Sequence, residues 1–99
     1  MQPLNARRPS ALELEILKEM AEGLGRAGER LERAIAGYRA LAEQAAGHGP
    51  ELRAKLAAQQ EEVLRAREWL VIQREALGMR NHDAVDVHYP LPFGEASPG

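Results

Sequence analysis

The stretch "LERAIAGYRALAEQAAGHGPELRAKLAAQQEEVLRA", residues Leu31–Ala66, decides the fold of this chain. On both sides of "GHGP" (Gly47–Pro50) apolar residues recur at alternating steps of three and four, which is the spacing of one face of an α-helix. Glycine often follows the last residue of a helix, and proline suits the first helical position. The sequence therefore predicts two long helices joined by a tight turn around His48.

The two apolar stripes also match each other as the facing sides of an antiparallel hairpin. In such a hairpin the residue numbers of facing residues add to a constant, and every predicted pair does so. Most pairs set an alanine or a glutamine against a larger residue, as interdigitating helices require. The pairs are Ala45 with Leu52, Leu41 with Leu56, Tyr38 with Gln59, Ala34 with Val63, Leu31 with Ala66, Ala27 with Leu70, Leu24 with Gln73 and Met20 with Leu77.

Local patterns predict where the helices begin and end. Ser10 and Glu13 form a capping box, in which each side chain bonds the backbone N–H of the other residue. Gly78 ends the second helix, and Met79 can fold back over its last turn. The segment "EGLGRAGE" could break the first helix, because each glycine costs about 1 kcal/mol relative to alanine. The apolar stripe keeps its phase across the segment, so we expect one continuous helix.

The remaining chain divides into an arm, a third helix and a tail. Residues 1–9 contain two prolines and no periodicity, which favours a loose arm. Asn81 is a candidate N-cap and Pro90 a stop, so we expect a short helix within residues 82–89. Residues 90–99 are rich in proline and glycine and are predicted to be a mobile tail. The fold class is all-α, with one helical domain over residues 10–89.

Composition narrows the classes of function. The net charge is −2, which gives no reason to expect binding to nucleic acid or to an anionic membrane. There is no cysteine, and hence no disulfide or thiolate chemistry. The start of the chain lacks the apolar core of a signal peptide, and the longest apolar run, Trp69–Ile72, is too short to span a bilayer. The many alanines, arginines and glycines are typical of a high-GC bacterial genome. We expect a bacterial, cytoplasmic protein.

A single hairpin would leave a second set of apolar side chains uncovered. Soluble monomers seldom expose a large apolar patch, so we expect two copies to associate into a four-helix bundle. The alternative is that the band Trp69–Ile72 docks another protein. The residues predicted to lie at the interface are Leu14, Ile35, Leu64, Trp69, Val71 and Ile72.

Histidines and carboxylates cluster in residues 80–89, and this is the alternative site. His82 and Asp86 are four residues apart and share a helix face, whereas Asp83 and His88 do not readily join them. Metal sites usually need three or four convergent ligands, and acids in the first turn of a helix also have a structural role. We predict no metal, no cofactor and no catalytic residue here, and keep metal or small-ligand binding as the alternative function.

Polar residues next to this cluster are expected to have structural roles. Gln73 lies on the seam and is predicted to bond the backbone of the third segment. Arg74 and Arg80 are predicted to cap carbonyl groups or to pair with Asp83 and Asp86.

The segment from Trp69 to Pro92, "WLVIQREALGMRNHDAVDVHYPLP", resembles the C-terminal part of a small uncharacterised family of bacterial all-helical proteins. The matching features are the Gln-Arg-Glu triplet, the following glycine, a basic residue followed by asparagine, and a tyrosine before a proline. The match covers about a quarter of the chain, and "YPLPFGE" departs from the family's usual continuation. The resemblance implies a shared helical fold and no activity. The sequence as a whole favours a non-catalytic interaction or assembly module.

Overall fold

The computed structural model describes residues 8–45 and 49–93, and its described part is all-α. Helix α1 (Ala11–Ala45) and helix α2 (Pro50–Ala76) form a long hairpin, and a short helix, α3 (Asp83–His88), follows. The predicted fold class is thus confirmed for the single chain. The predicted turn at His48, most of the N-terminal arm and the end of the tail lie outside the described residues.

The predicted start of α1 and the predicted end of α2 both have the expected hydrogen bonds. The Glu13 N–H donates to Ser10 Oγ (3.1 Å), and the Ser10 N–H donates to Glu13 Oε1 (3.2 Å). At the end of α2, Gly78 has a φ of 87°, a conformation that glycine adopts without steric cost. The Met79 N–H reaches the Arg74 carbonyl (3.0 Å) and the Gly78 N–H reaches the Glu75 carbonyl (2.9 Å), which is the Schellman arrangement.

Helix α1 continues without a break through its glycine-rich segment. Two of its glycines are explained by contacts within the chain. A methyl group at Gly28 would lie 2.8 Å from the Tyr89 hydroxyl, and one at Gly37 would lie 2.9 Å from Gln59 Nε2. The absence of a side chain at these positions lets the C-terminal segment and α2 approach the α1 backbone closely.

The core lies along the middle of the predicted seam. Leu31 and Val63 are completely buried, and the seam alanines around them are almost so. Toward its N-terminus α1 extends past the end of α2, so that Leu17, a predicted seam residue, is 52% exposed. The buried residues are Ala27, Leu31, Ala34, Ile35, Tyr38, Val63, Ala66, Leu70 and Val85.

Contacts between α1 and α2 agree with the predicted register to within about one helical turn. Gln59 donates from Nε2 to the Ala34 carbonyl (3.0 Å) and lies against Gly37, next to its predicted partner Tyr38. At the other end, Gln73 Oε1 lies 3.5 Å from the Cβ position of Gly23, next to its predicted partner Leu24. The hydrogen bond to backbone that was expected of Gln73 is therefore made by Gln59, and to α1 instead of the third segment.

The C-terminal segment covers the face of α1 that carries Gly28 and Ile35. Val85 of α3 is buried, and Tyr89, Leu91 and Phe93 pack against the core. The Phe93 ring meets the Tyr38 ring edge-on, with centroids 5.1 Å apart. The packed chain thus extends beyond the predicted boundary at residue 89. The expectation that Ile35 would be left uncovered is wrong, since it is only 6% exposed within one chain.

We predict that Gly28→Ala destabilises the protein because the new methyl group would collide with the Tyr89 hydroxyl. Overpacking of this kind costs about 1–3 kcal/mol. In a Tyr89→Phe background the nearest ring atom lies 3.6 Å away, so the same substitution should stabilise α1 by up to about 1 kcal/mol. Urea denaturation of the four chains of this cycle measures both effects. The matched control is Gly25→Ala, because no described side chain lies within 4 Å of that position. A loss of stability that Tyr89→Phe does not relieve would contradict the proposed packing.

Candidate functional site

The predicted His/Asp cluster anchors α3 and the chain before it to α2. Arg74 donates from Nε to His82 Nδ1 (3.1 Å) and from Nη2 to the Asn81 carbonyl (3.0 Å). Arg67 pairs with Asp86 through Nη2 (3.0 Å) and Nε (3.1 Å). The carbonyl cap predicted for Arg74 is confirmed. The pairing of Asp86 with Arg67 was missed, since nothing in the spacing of residues 67 and 86 indicates it.

The N-terminus of α3 lies one residue later than the predicted cap. His82 occupies the N-cap position without a side-chain cap hydrogen bond. Asn81 Oδ1 instead accepts from the Asp83 N–H at 2.9 Å, as in an Asx turn. Asn81 therefore shapes the approach to the helix and does not cap it.

The His82 ring is held in one orientation. Because Nδ1 accepts a hydrogen bond from Arg74, the proton of the neutral ring is on Nε2. Nε2 is fully buried, has no hydrogen-bond partner among the described residues, and lies 3.6 Å from Glu75 Oε2.

A metal would need ligands that this cluster does not bring together. Within residues 8–45 and 49–93 no three His, Asp or Glu side chains converge to hold an ion. His82 and Asp86 each face an arginine of α2, and those guanidinium groups occupy His82 Nδ1 and Asp86 Oδ1. The arrangement is that of a structural anchor.

A cleft of about 410 Å³ lies between α1, the end of α2 and α3. Its size falls within the range of small-ligand pockets. Its walls are largely apolar, with Arg74, His88 and Tyr89 supplying the polar groups. Arg74 already bonds His82 and Asn81, which leaves His88 and the Tyr89 hydroxyl as groups for polar contact.

The side of the hairpin turned away from α3 carries several arginines and an exposed tryptophan. Trp69 follows Arg67 by two residues, about 200° around α2, and it is 46% exposed. It shares a cleft of about 310 Å³ with Gln73, Gly23 and three arginines of α1, Arg26, Arg30 and Arg33. We call this side the open face and define it by Leu12, Ile16, Glu19, Gly23, Arg26, Arg30 and Trp69.

One ion pair crosses between the helices at the edge of the open face. Arg30 forms two hydrogen bonds to Glu62, each 3.0 Å long. These bonds lower the pKa of the Glu62 carboxyl, against the opposing effect of burial, and they raise the pKa of Arg30. Both side chains are 39% exposed, so solvent screens the pair.

Most of the predicted interface residues are available at the surface of one chain. Leu14, Leu64, Trp69 and Ile72 are between 38% and 54% exposed. Val71 is half-buried, and Ile35 is buried under the C-terminal segment. These residues do not form one patch. Leu64 and Val71 lie on the side of α2 that carries α3, and Trp69 lies on the other side.

Four large apolar side chains, including Leu14, are exposed on the part of α1 that extends beyond α2. Leu12, Leu14, Ile16 and Leu17 are between 46% and 65% exposed. None of the helices in the described ranges is long and apolar enough to span a membrane.

Comparison of the chain with protein-family models, with curated proteins and with solved structures finds no match. The resemblance of the segment Trp69 to Pro92 to a bacterial helical family stays a prediction.

We predict that the stability conferred by the Arg30–Glu62 pair disappears on acidification. A glutamate whose pKa is lowered by folding stabilises the fold above its unfolded value of about 4.3, and this stability is lost as the pH falls through the lower folded value. The difference in unfolding free energy between wild type and Glu62→Gln should therefore shrink between about pH 6 and pH 3. Glu61→Gln is the control, since its partner Arg65 is 3.8 Å away and both are largely exposed. Equal pH dependence in the two variants would count against the pair.

We also predict that the protein shows no dependence on bound metal. The combined variant His82→Ala and Asp86→Ala should lose two contacts to α2 and melt earlier, and EDTA should leave the melting temperature of wild type and variant unchanged. Metal analysis and thermal melting measure this. Stoichiometric zinc or iron in the wild type that is absent from the variant would establish the alternative function.

Proposed function

We propose that this chain is a non-catalytic interaction or assembly module of a bacterial cytoplasm that acts as a homodimer. The observation that carries the proposal is the ratio of exposed to buried apolar groups. Of the described residues, nine large apolar side chains are exposed, and the buried core consists of only nine residues. Three of those nine are alanines, which contribute little buried area.

The position of the exposed groups supports association more than their number does. Single exposed apolar residues are normal on soluble proteins. Here Leu12, Leu14, Ile16 and Leu17 are concentrated in the first two turns of α1, and Trp69 and Ile72 occur within one turn of α2. Burying a large aliphatic side chain is worth about 1.5–3 kcal/mol. A second chain that covered several of them would therefore bind firmly.

The polar chemistry of the chain fits the same proposal. The arginines near the His/Asp cluster are engaged in holding α3 and the preceding residues. The large apolar side chains that stay uncovered are of the kind found in the buried core of a protein interface. A face-to-face pair of hairpins would make a four-helix bundle. After that pairing, exposed apolar groups that lie off the open face remain for a further protein, among them Leu64, Ile72 and Met79.

We expect sedimentation equilibrium at micromolar concentration to give twice the chain mass of 10.9 kDa. Ile16→Asp, on the open face, should shift the protein toward the monomer, because a carboxylate would be buried at the contact without a partner. Val87→Asp is the matched control, since Val87 is 76% exposed on α3 and lies away from the open face. A wild type that stays monomeric, with Ile16→Asp folded and unchanged, would refute the homodimer.

A further inference from the structure

Two glycines of α1 have no explanation within the chain. A methyl group at Gly23 would meet Gln73 Oε1 at 3.5 Å, an ordinary contact, and one at Gly25 would meet no described side chain within 4 Å. Glycine in a helix interior is destabilising relative to alanine. Gly28 and Gly37, by contrast, lie against Tyr89 and Gln59. Of the two unexplained glycines, Gly23 lies on the open face.

Gly23 is the fourth of six members of a regular stripe along α1. Successive members of the stripe are separated by four, three, four, three and four residues, the spacing with which one helix packs against another. Its N-terminal members are apolar and uncovered, with Leu12 65% and Ile16 46% exposed. The stripe consists of Leu12, Ile16, Glu19, Gly23, Arg26 and Arg30.

Charge changes sign at the same glycine. Residues 11–22 contain four glutamates and one lysine, a net charge of −3. Residues 24–33 contain three arginines and two glutamates, a net charge of +1, and the arginines Arg26, Arg30 and Arg33 lie beside Trp69. An antiparallel copy of α1 would therefore set its acidic half against the arginines of the first. A face of this kind is complementary to itself, which is the requirement for a two-fold symmetric contact.

We infer that a second copy of the chain packs on the open face with the two α1 helices antiparallel and crossing at Gly23. This inference rests on the proposed homodimer and specifies its geometry. Glu19 lies four residues before Gly23 and Arg26 lies three after it, so each Glu19 meets the Arg26 of the other copy. Absence of a side chain at Gly23 lets the two backbones approach closely.

The same crossing covers the exposed apolar groups of the open face. Ile16 and Arg30 are each seven residues from Gly23, on opposite sides, and therefore face each other across the axis. Trp69 borders the same cleft as Arg30, so its ring covers the partner's Ile16. Arg30 is already paired with Glu62 and presents its aliphatic stem to that contact. Leu12 of one copy then lies near Arg33 of the other copy.

Two alanine substitutions test the crossing. Within one chain, Gly23→Ala and Gly25→Ala both have room and should both raise helix stability. At the inferred crossing only Gly23→Ala inserts a methyl group between two backbones. It should weaken dimerisation by about tenfold or more, whereas Gly25→Ala should leave the dissociation constant unchanged. Sedimentation equilibrium measures the dissociation constant. Dilution series of the emission of Trp69, the only tryptophan in the chain, provide a second measure.

A charge reversal tests the register. Glu19→Arg and Arg26→Glu should each weaken the dimer by about tenfold or more, because like charges would face each other across the axis. The combined variant should regain most of the wild-type affinity. The control is the reversal of Glu61 and Arg65, an exposed pair on α2, which should leave affinity unchanged.

The outcomes separate this inference from the proposal on which it rests. A wild-type dimer that is insensitive to Gly23→Ala, or whose charge-reversed double variant stays as weak as the single ones, overturns the crossing and leaves the homodimer intact. A wild type that is monomeric overturns both. Weakening by Gly23→Ala together with rescue by the double reversal establishes the crossing.

Discussion

The narrow seam between α1 and α2 is the constraint on which the rest of the structure depends. Small residues at Ala27, Ala34 and Ala66 bring the helices close enough for Leu31 and Val63 to be shielded completely from water. The same alanines limit how much apolar area the contact can remove from solvent. A hairpin built on such a seam is well packed but has a small core. The chain therefore has to bury further apolar surface elsewhere.

The C-terminal segment supplies part of that burial. Val85 and Tyr89 cover the stripe of α1 that carries Gly28 and Ile35, and Phe93 closes over Tyr38. A six-residue helix has little stability of its own, so its position has to be held by tertiary contacts. Arg67 and Arg74 hold it and the preceding residues from α2. His82 and Asp86, which would draw attention as a ligand site, are thus part of the attachment.

Glycine has different consequences at different positions along α1. At Gly28 and Gly37 the missing side chain admits a group of the same chain, a tyrosine hydroxyl and a glutamine amide. At Gly23 a methyl group would make only ordinary contacts within the chain, on a face where exposed apolar groups adjoin three arginines. The net charge of α1 changes sign at this point. Hence one side of the hairpin is completed by the chain itself, and we propose that a second copy completes the other.

The sequence by itself determined the hairpin, its seam and the helix ends. These features follow from interactions between residues that are near in sequence, such as Ser10 with Glu13 and Met79 with Arg74, or from a periodicity that either helix shows alone. The matching of the two stripes then placed the helices in register to within about one turn.

Only the tertiary structure decided where the C-terminal segment docks and what it covers. Ile35 was predicted to lie at the interface between two copies because a hairpin has no means of burying it, and it is buried by residues about fifty positions later in the chain. The pairing of Arg67 with Asp86, and the bond of Gln59 to the Ala34 carbonyl, likewise join residues with no local pattern in common. Such contacts depend on how a short segment folds back over two helices. That path is set by the sum of many long-range contacts, each too weak to leave a periodicity in the sequence.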